Sequence, residues 1–207
     1  MVKVGLTGNY GMGKSSVAAM FSKLGAISLD SDEIVASLLN EESVKGRITG
    51  LLGVKALNPE GTLDKKYIAQ RVFKNKALRK ELEALIHPLV LHRVDCLVKK
   101  VRGRYRIIIV EVPLLFEGGY QSRFDRTITV CADRKSALSR LRKSGISQED
   151  ALARLRNQMN IRTKKRLADY CIDNSGTRRQ TEAQVREIYS LLVDVNEQVV
   201  SKGQRRS

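Results

Sequence analysis

The sequence predicts an α/β fold, a parallel sheet covered by helices on both faces, and three observations carry that reading. Short runs of branched apolar residues alternate with longer stretches of helical period. The runs are almost continuously apolar rather than alternating, as strands buried on both faces are. The connections between them are far longer than hairpin loops, and parallel neighbours need such crossovers.

Taken in order, residues 2–7 are a β-branched run ending in glycine, the first strand. Val17, Met20, Phe21 and Leu24 then follow a helical period. Residues 26–29 form a second short run ending at Asp30, and Asp30 with Glu33 can cap a helix over 34–39. The glycines between Gly46 and Gly61 predict a loop there, around Gly50-Leu51-Leu52-Gly53. Leu78, Leu82, Leu85 and Ile86 predict a helix that Pro88 kinks or ends. Residues 106–112 are the strongest strand, and 127–131 and 170–172 are the last two. Ser147 with Asp150 can cap a helix whose apolar stripe is Ala151, Leu152 and Leu155. About 75 residues separate the second and third strands, far beyond a minimal crossover, so they predict a helical subdomain beside the sheet. The expected organisation is one domain with a core (about 1–40, 106–133 and 168–207), a helical insertion (about 41–105) and a basic helical excursion (about 134–167).

Composition narrows the class. With 207 residues, 42% of them hydrophobic and 29% charged, the chain can bury a substantial core and does not read as disordered. Its longest aliphatic run, residues 107–110, is far short of the roughly 20 residues that span a bilayer. No apolar leader is evident, and the three cysteines (Cys96, Cys131 and Cys171) form no C-x-x-C pair. A cytoplasmic protein with reduced thiols is the expectation. Thirty-eight Lys and Arg against 22 Asp and Glu leave a net charge of +16, which attracts polyanions. Aromatic residues are 5% and Trp is absent, so a stacking platform for single-stranded nucleic acid has little material.

Gly8-Asn9-Tyr10-Gly11-Met12-Gly13-Lys14-Ser15 matches G-x-x-x-x-G-K-[ST], between an apolar strand and a helical pattern as the motif requires. Its glycines let backbone N–H groups turn inward around phosphate oxygens. Lys14 supplies charge for the β- and γ-phosphates, the Ser15 hydroxyl can ligate Mg²⁺, and the following helix adds its positive end. The expectation is a P-loop NTPase-type sheet of five parallel strands that binds ATP. The motif alone does not name a reaction. No N-K-x-D guanine-reading pattern accompanies it, and the chain is short for a motor.

A small-molecule kinase needs an acceptor base, a subdomain for the acceptor and a basic lid, and each has a candidate. Asp30-Ser31-Asp32 sits where the second strand should end, at the carboxyl edge where α/β proteins bind ligands. Asp32 there can take the proton of a substrate hydroxyl as it attacks the γ-phosphate, with Asp30 a helix cap. The alternative makes Asp32 a favourable first-turn charge. From Arg134 to Arg166 there are eleven Lys and Arg, among them Arg140, Arg142, Arg154, Arg156, Arg162, Lys164, Lys165 and Arg166, against Glu149 and Asp150. Such a segment can close over ATP and exclude water, although a solvated basic face accounts for most of it. Glu111 ends the strongest strand, the place of an acid that holds Mg²⁺ through water or orients the acceptor, with chance placement the alternative.

Together these pieces resemble the dephospho-coenzyme A kinases, in order and over nearly the whole chain. The resemblance is carried by Gly5-Leu6-Thr7-Gly8 and the P-loop, Leu24-Gly25, Asp30-x-Asp32, Gly61-Thr62-Leu63-Asp64, Val72-Phe73 and Leu82-Glu83-Ala84-Leu85-Ile86-His87-Pro88. Val112-Pro113-Leu114-Leu115-Phe116-Glu117 is its most diagnostic segment after the P-loop, and Gln158, Ala168-Asp169 and Ile172-Asp173-Asn174-Ser175-Gly176 complete it. It implies transfer of the ATP γ-phosphoryl group to the ribose 3′-hydroxyl of dephospho-CoA, giving CoA and ADP. On that analogy Gly11, Met12, Gly13, Lys14, Ser15 and Ser16 cradle ATP, Ser15 meets the metal, and Asp32 is the base. Arg140 resembles the lid arginine that contacts the nucleotide phosphates, and the insertion holds the acceptor, with His87 a structural residue. The sequence departs from the family's usual pattern at Asn9-Tyr10-Gly11-Met12 and at Ser16, without losing a required glycine, lysine or hydroxyl.

Two rivals stand beside this reading. A nucleoside or nucleotide kinase shares the architecture and charge logic. A nucleotide-dependent nucleic-acid-binding protein, motivated by the +16 charge, predicts steeply salt-dependent oligonucleotide binding instead. The basic lid and the anionic substrates already account for much of that charge.

Overall fold

The computed structural model describes residues 1–101, 103, 106–147, 149, 151, 155–156 and 158–204. Five strands, β1 (Val2–Thr7), β2 (Ile27–Asp30), β3 (Ile107–Glu111), β4 (Arg126–Cys131) and β5 (Tyr170–Asp173), form one sheet in the order β2-β3-β1-β4-β5. All four pairings are parallel. Val2, Val4, Leu6, Ile107, Ile108, Ile109, Val110, Ile128 and Ile172 are all at most 1% exposed, which is why these runs read as continuously apolar. The chain leaves β1 toward β2 on one side, and β3 leads to β4 on the other. Connections therefore diverge beside β1, and the carboxyl ends of β1 and β3 open a crevice there.

The chain divides into two compact units, residues 1–30 with 101–207, and residues 31–100. In the first, helices α1 (Lys14–Lys23) and α8 (Arg178–Gln204) cover one face of the sheet. Val17, Met20 and Phe21 of α1 and Val185, Ile188 and Leu192 of α8 pack with Val2, Val4, Leu6, Ile109 and Val130. Two shorter helices, α6 (Arg134–Lys143) and α7 (Ile161–Leu167), lie between β4 and β5 in the chain. Asp133 caps α6 by accepting from the Ser136 amide at 2.8 Å. The cap and stripe expected around Ser147 fall partly outside the described residues, as do Asp150, Leu152 and Arg154.

The second unit is helical: α2 (Ser31–Leu38), α3 (Glu42–Leu52), α4 (Lys65–Lys74) and α5 (Lys76–Val101). Its core is Val44, Ile48, Leu52, Ala56, Leu63 and Ile86. Two local expectations fail here, for the same reason. Residues 46–52 are helix rather than loop, because Val44, Ile48 and Leu52 fall on one face and their burial outweighs the cost of Gly46 and Gly50, about 1 kcal/mol each. Helix α5 does not end at Pro88 but continues to Val101. Leu78, Leu82, Leu85 and Ile86 before the proline, and Leu89 and Val90 after it, pack on one core, and that stripe carries the helix across the lost amide. The loop that does form ends in a bridge between Leu57 and Leu63, and Asp64 then caps α4 by accepting from the Tyr67 amide at 2.9 Å.

No helix among the described residues is long and apolar enough to cross a membrane. Cys96, Cys131 and Cys171 are free.

Candidate active site

The loop after β1 has the backbone its glycines predict. Gly11 and Gly13 have φ of +80° and +86°, a region that strains a side chain. At Gly11 space is also short, since a Cβ would lie 2.8 Å from Leu141 Cγ and 2.9 Å from the Ala137 carbonyl of α6. Gly13 is the N-cap of α1, and the first helical bond runs from Val17 N to Gly13 O. The amides of that turn face the loop, so the positive end of α1 closes a concavity suited to phosphate. Lys14 Nζ donates to the Gly8 carbonyl at 3.1 Å, which holds the ammonium against the loop. Ser16 is exposed on the first turn.

Ser15 Oγ donates to Glu111 Oε2 at 3.0 Å. Glu111 ends β3 beside Leu6 and Asp30 in the sheet register, and it is 7% exposed. A hydroxyl and a buried carboxylate converging at the carboxyl edge are hard oxygen donors of the kind Mg²⁺ takes, so this pair fits the ion that accompanies ATP.

Arg140, on α6, reaches the same region. One of its terminal nitrogens donates to the Asn174 carbonyl at 2.6 Å, while Nη1 is buried without a hydrogen-bond partner among the described residues. A Cβ on Gly13 would stand 3.7 Å from that Nη1, so the unsatisfied donor sits beside the loop. A buried guanidinium nitrogen with an unmade bond is costly in isolation, and an anion on the loop would complete it.

Asn174, just past β5, joins these parts, a role the sequence did not assign. Its Nδ2 donates to the Met12 carbonyl at 3.0 Å, its Oδ1 accepts from Thr181 Oγ1 at 3.0 Å, and its amide donates to the Cys131 carbonyl at 2.7 Å. The available signal was its place in the 172–176 motif at a strand end. The Met12 side chain, an unusual residue for the loop, is buried, and its sulfur takes the Ala132 amide at 3.0 Å.

The basic excursion is not uniform. Arg134, Lys135, Arg142, Lys143, Arg156, Arg162, Lys165 and Arg166 are exposed, whereas Lys164 is fully buried. Lys164 donates to the Pro113 carbonyl at 2.8 Å and pairs with Glu117 at 3.0 Å. Burial pushes its ammonium pKa down, and its hydrogen bond to the Glu117 carboxylate opposes that shift. Lys164 therefore belongs to the core and not to the set available for phosphate.

Asp30 closes β2, and Asp32 is exposed in the first turn of α2, two residues further along the chain. His87, in α5, is half-buried, and desolvation lowers its pKa despite the opposing pull of Glu83.

The sequence profile of the dephospho-CoA kinases matches residues 2–180. The chain belongs to the dephospho-CoA kinase family. The dephospho-CoA kinase of Aquifex aeolicus is 36% identical over 193 residues, 93% of this chain and 98% of that one. Among solved structures, TT1252 from Thermus thermophilus aligns with a TM-score of 0.82 at 31% identity, covering 92% of this chain and 97% of its own. Dephospho-CoA kinase from Campylobacter jejuni aligns at 0.66 and 26%, covering 94% and 98%. The family that the sequence resembles is thus the family to which the chain belongs, and the fold is that of a P-loop kinase.

Proposed function

We propose that this member of the family transfers the γ-phosphoryl group of ATP to the ribose 3′-hydroxyl of dephospho-CoA, yielding CoA and ADP. The observation that carries the reading is the family match over residues 2–180 on a chain with an intact phosphate loop. The loop backbone, Lys14 and Ser16 hold the ATP phosphates, with Gly11, Met12 and Gly13 shaping the cradle. Arg140 brings the donor it leaves unpaired, so its strongest hydrogen bond forms to phosphate oxygen, where negative charge accumulates during transfer. Ser15 and Glu111 are the residues that would hold the Mg²⁺ that travels with ATP, Glu111 directly or through water, and the bound ion would supply charge neutralisation at the phosphates.

Asp32 acts as the general base. Its carboxylate takes the proton as the 3′-oxygen bonds to the γ-phosphorus, and the bond from that phosphorus to the bridging oxygen of ADP breaks in line. The helical unit, residues 31–100, binds dephospho-CoA. The exposed cations of the segment between β4 and β5 form a lid that balances the triphosphate charge and excludes water, which would otherwise compete as acceptor.

ADP release from Mg-ATP, measured with dephospho-CoA and in parallel with adenosine and AMP, tests the reading. Strong stimulation by dephospho-CoA alone is expected. Stimulation by adenosine or AMP instead would keep the phosphate loop and discard the acceptor. Asp32→Asn should bind ATP normally and lose most of kcat, because an amide cannot take the proton. Loss of ATP binding in that variant would remove Asp32 from the role of base.

A further inference from the structure

Lys164 poses a question that the transfer chemistry does not answer. A fully buried ammonium is expensive, and an apolar residue of similar size at such a site is often no worse for stability. Its partners show what the charge is tied to. Glu117 Oε1 accepts from Lys164 and also from the Met159 amide at 2.8 Å, while Glu117 Oε2 is buried without a hydrogen-bond partner among the described residues. The Met159 carbonyl in turn accepts from Asn9 Nδ2 at 3.1 Å. The neighbouring Gln158 Oε1 accepts from the Tyr10 amide at 2.8 Å. Residues 158–159 therefore brace the phosphate loop at two consecutive positions, Asn9 and Tyr10, both among those where this sequence departs from the family's usual residues. The same ammonium donates to the Pro113 carbonyl, which also takes Thr7 Oγ1 at 3.2 Å, and the backbone carbonyl of Lys164 takes Thr129 Oγ1 at 3.2 Å, so Lys164 is tied to the end of β1, to the segment just past β3 and to the interior of β4.

We propose that the Glu117–Lys164 pair positions the Gln158–Met159 brace, which holds Asn9 and Tyr10 in the phosphate-binding form of the loop, so that the pair sets affinity for ATP without touching it. This rests on the reading that the loop binds ATP. Lys164 and Glu117 are positioning residues on this account. Their effect passes through one bond, Met159 N–H to Glu117, and falls on the nucleotide and not on the acceptor.

Two charge-free double variants separate positioning from mere stability. Lys164→Met with Glu117→Gln leaves an amide oxygen for the Met159 N–H, whereas Lys164→Met with Glu117→Leu leaves none. Both remove the buried charges together, so both avoid an uncompensated ion. KM for ATP, KM for dephospho-CoA, and ATP Kd by titration calorimetry are then compared with the wild type. The Gln double should keep ATP KM and Kd within about threefold of wild type. The Leu double should raise both a further three- to tenfold, the share of one backbone hydrogen bond, with KM for dephospho-CoA unchanged in each. Equal ATP constants in the two doubles, or a rise shared by both substrates, would overturn the proposal. Gln158→Ala disturbs no buried charge and keeps the question open to test if a double fails to fold. It should raise ATP KM alone, and an unchanged value would count against the brace. A wild type that fails to bind ATP would sink the kinase reading and this proposal with it, whereas equal constants in the two doubles on a wild type that binds ATP would sink the proposal alone.

Discussion

Asn174 offers the sharpest test of how the nucleotide site is held together. Its side chain is 8% exposed and serves two partners, the Met12 carbonyl of the phosphate loop and the Thr181 hydroxyl of α8. Asn174→Ala strands the Met12 carbonyl in a buried place, at a cost of about 1–3 kcal/mol. Thr181 keeps a longer bond to the Thr177 carbonyl, 3.4 Å, so its loss adds no more than about 1 kcal/mol. The sum, about 1–4 kcal/mol, lowers Tm by roughly 2–16 °C at about 2–4 °C per kcal/mol for a chain of this size. The same change frees the peptide between Met12 and Gly13, whose neighbours face phosphate, so KM for ATP should rise several-fold. Asn174→Asp is the control: it keeps an oxygen for Thr181 but sets a carboxylate against the Met12 carbonyl, and should be no better than Ala. Urea denaturation with parallel kinetics reads both effects. An Asn174→Ala variant within about 0.5 kcal/mol of wild type, with unchanged ATP KM, would refute the reasoning.

The remaining predictions reach other parts of the chain. Gly46→Ala and Gly50→Ala lie inside α3, neither glycine has positive φ, and a Cβ at either would meet nothing within 4 Å. Each should stabilise by about 0.5–1 kcal/mol in urea denaturation, and destabilisation would contradict the helical assignment. The lowered pKa of His87 means that the unfolded chain takes up a proton more readily than the fold. Its contribution is intact above the ordinary value of 6.5 and is lost as pH falls below it. His87→Gln should flatten the stability profile between about pH 7 and pH 5, and an unchanged slope would exclude the assignment. Lys14→Ala should cut kcat steeply by removing phosphate charge stabilisation, and wild-type turnover in that variant would dispose of the phosphate loop as the site.

The strands were legible because each is a short, mostly apolar run, most plainly Ile107-Ile108-Ile109-Val110 of β3, and a parallel sheet buried on both faces favours that. The phosphate loop was legible for a different reason, since the backbone it needs admits glycine at Gly11 and Gly13 and little else. Legibility ended where burial by distant residues decides the outcome. Gly46, Gly50 and Pro88 are local breakers, and only the assembled core of the helical unit shows why they break nothing. Lys164 reads as one more cation in a basic segment until Glu117 and Pro113, distant in the chain, are seen around it. Asn174 stands 162 residues from Met12, and no spacing rule joins them. Arg140 was identified by resemblance, while its unpaired Nη1 is a property of three-dimensional packing.

The most direct measurement of the central claim is the product of a single turnover, dephospho-CoA and Mg-ATP with enzyme in excess, read by mass and by ³¹P resonance. The account predicts one product, heavier than dephospho-CoA by one phosphoryl group, carrying a new monoester on the ribose 3′-oxygen, with ADP formed in equal amount. ADP accompanied by inorganic phosphate and unchanged dephospho-CoA, or phosphate attached anywhere else on the acceptor, would contradict it.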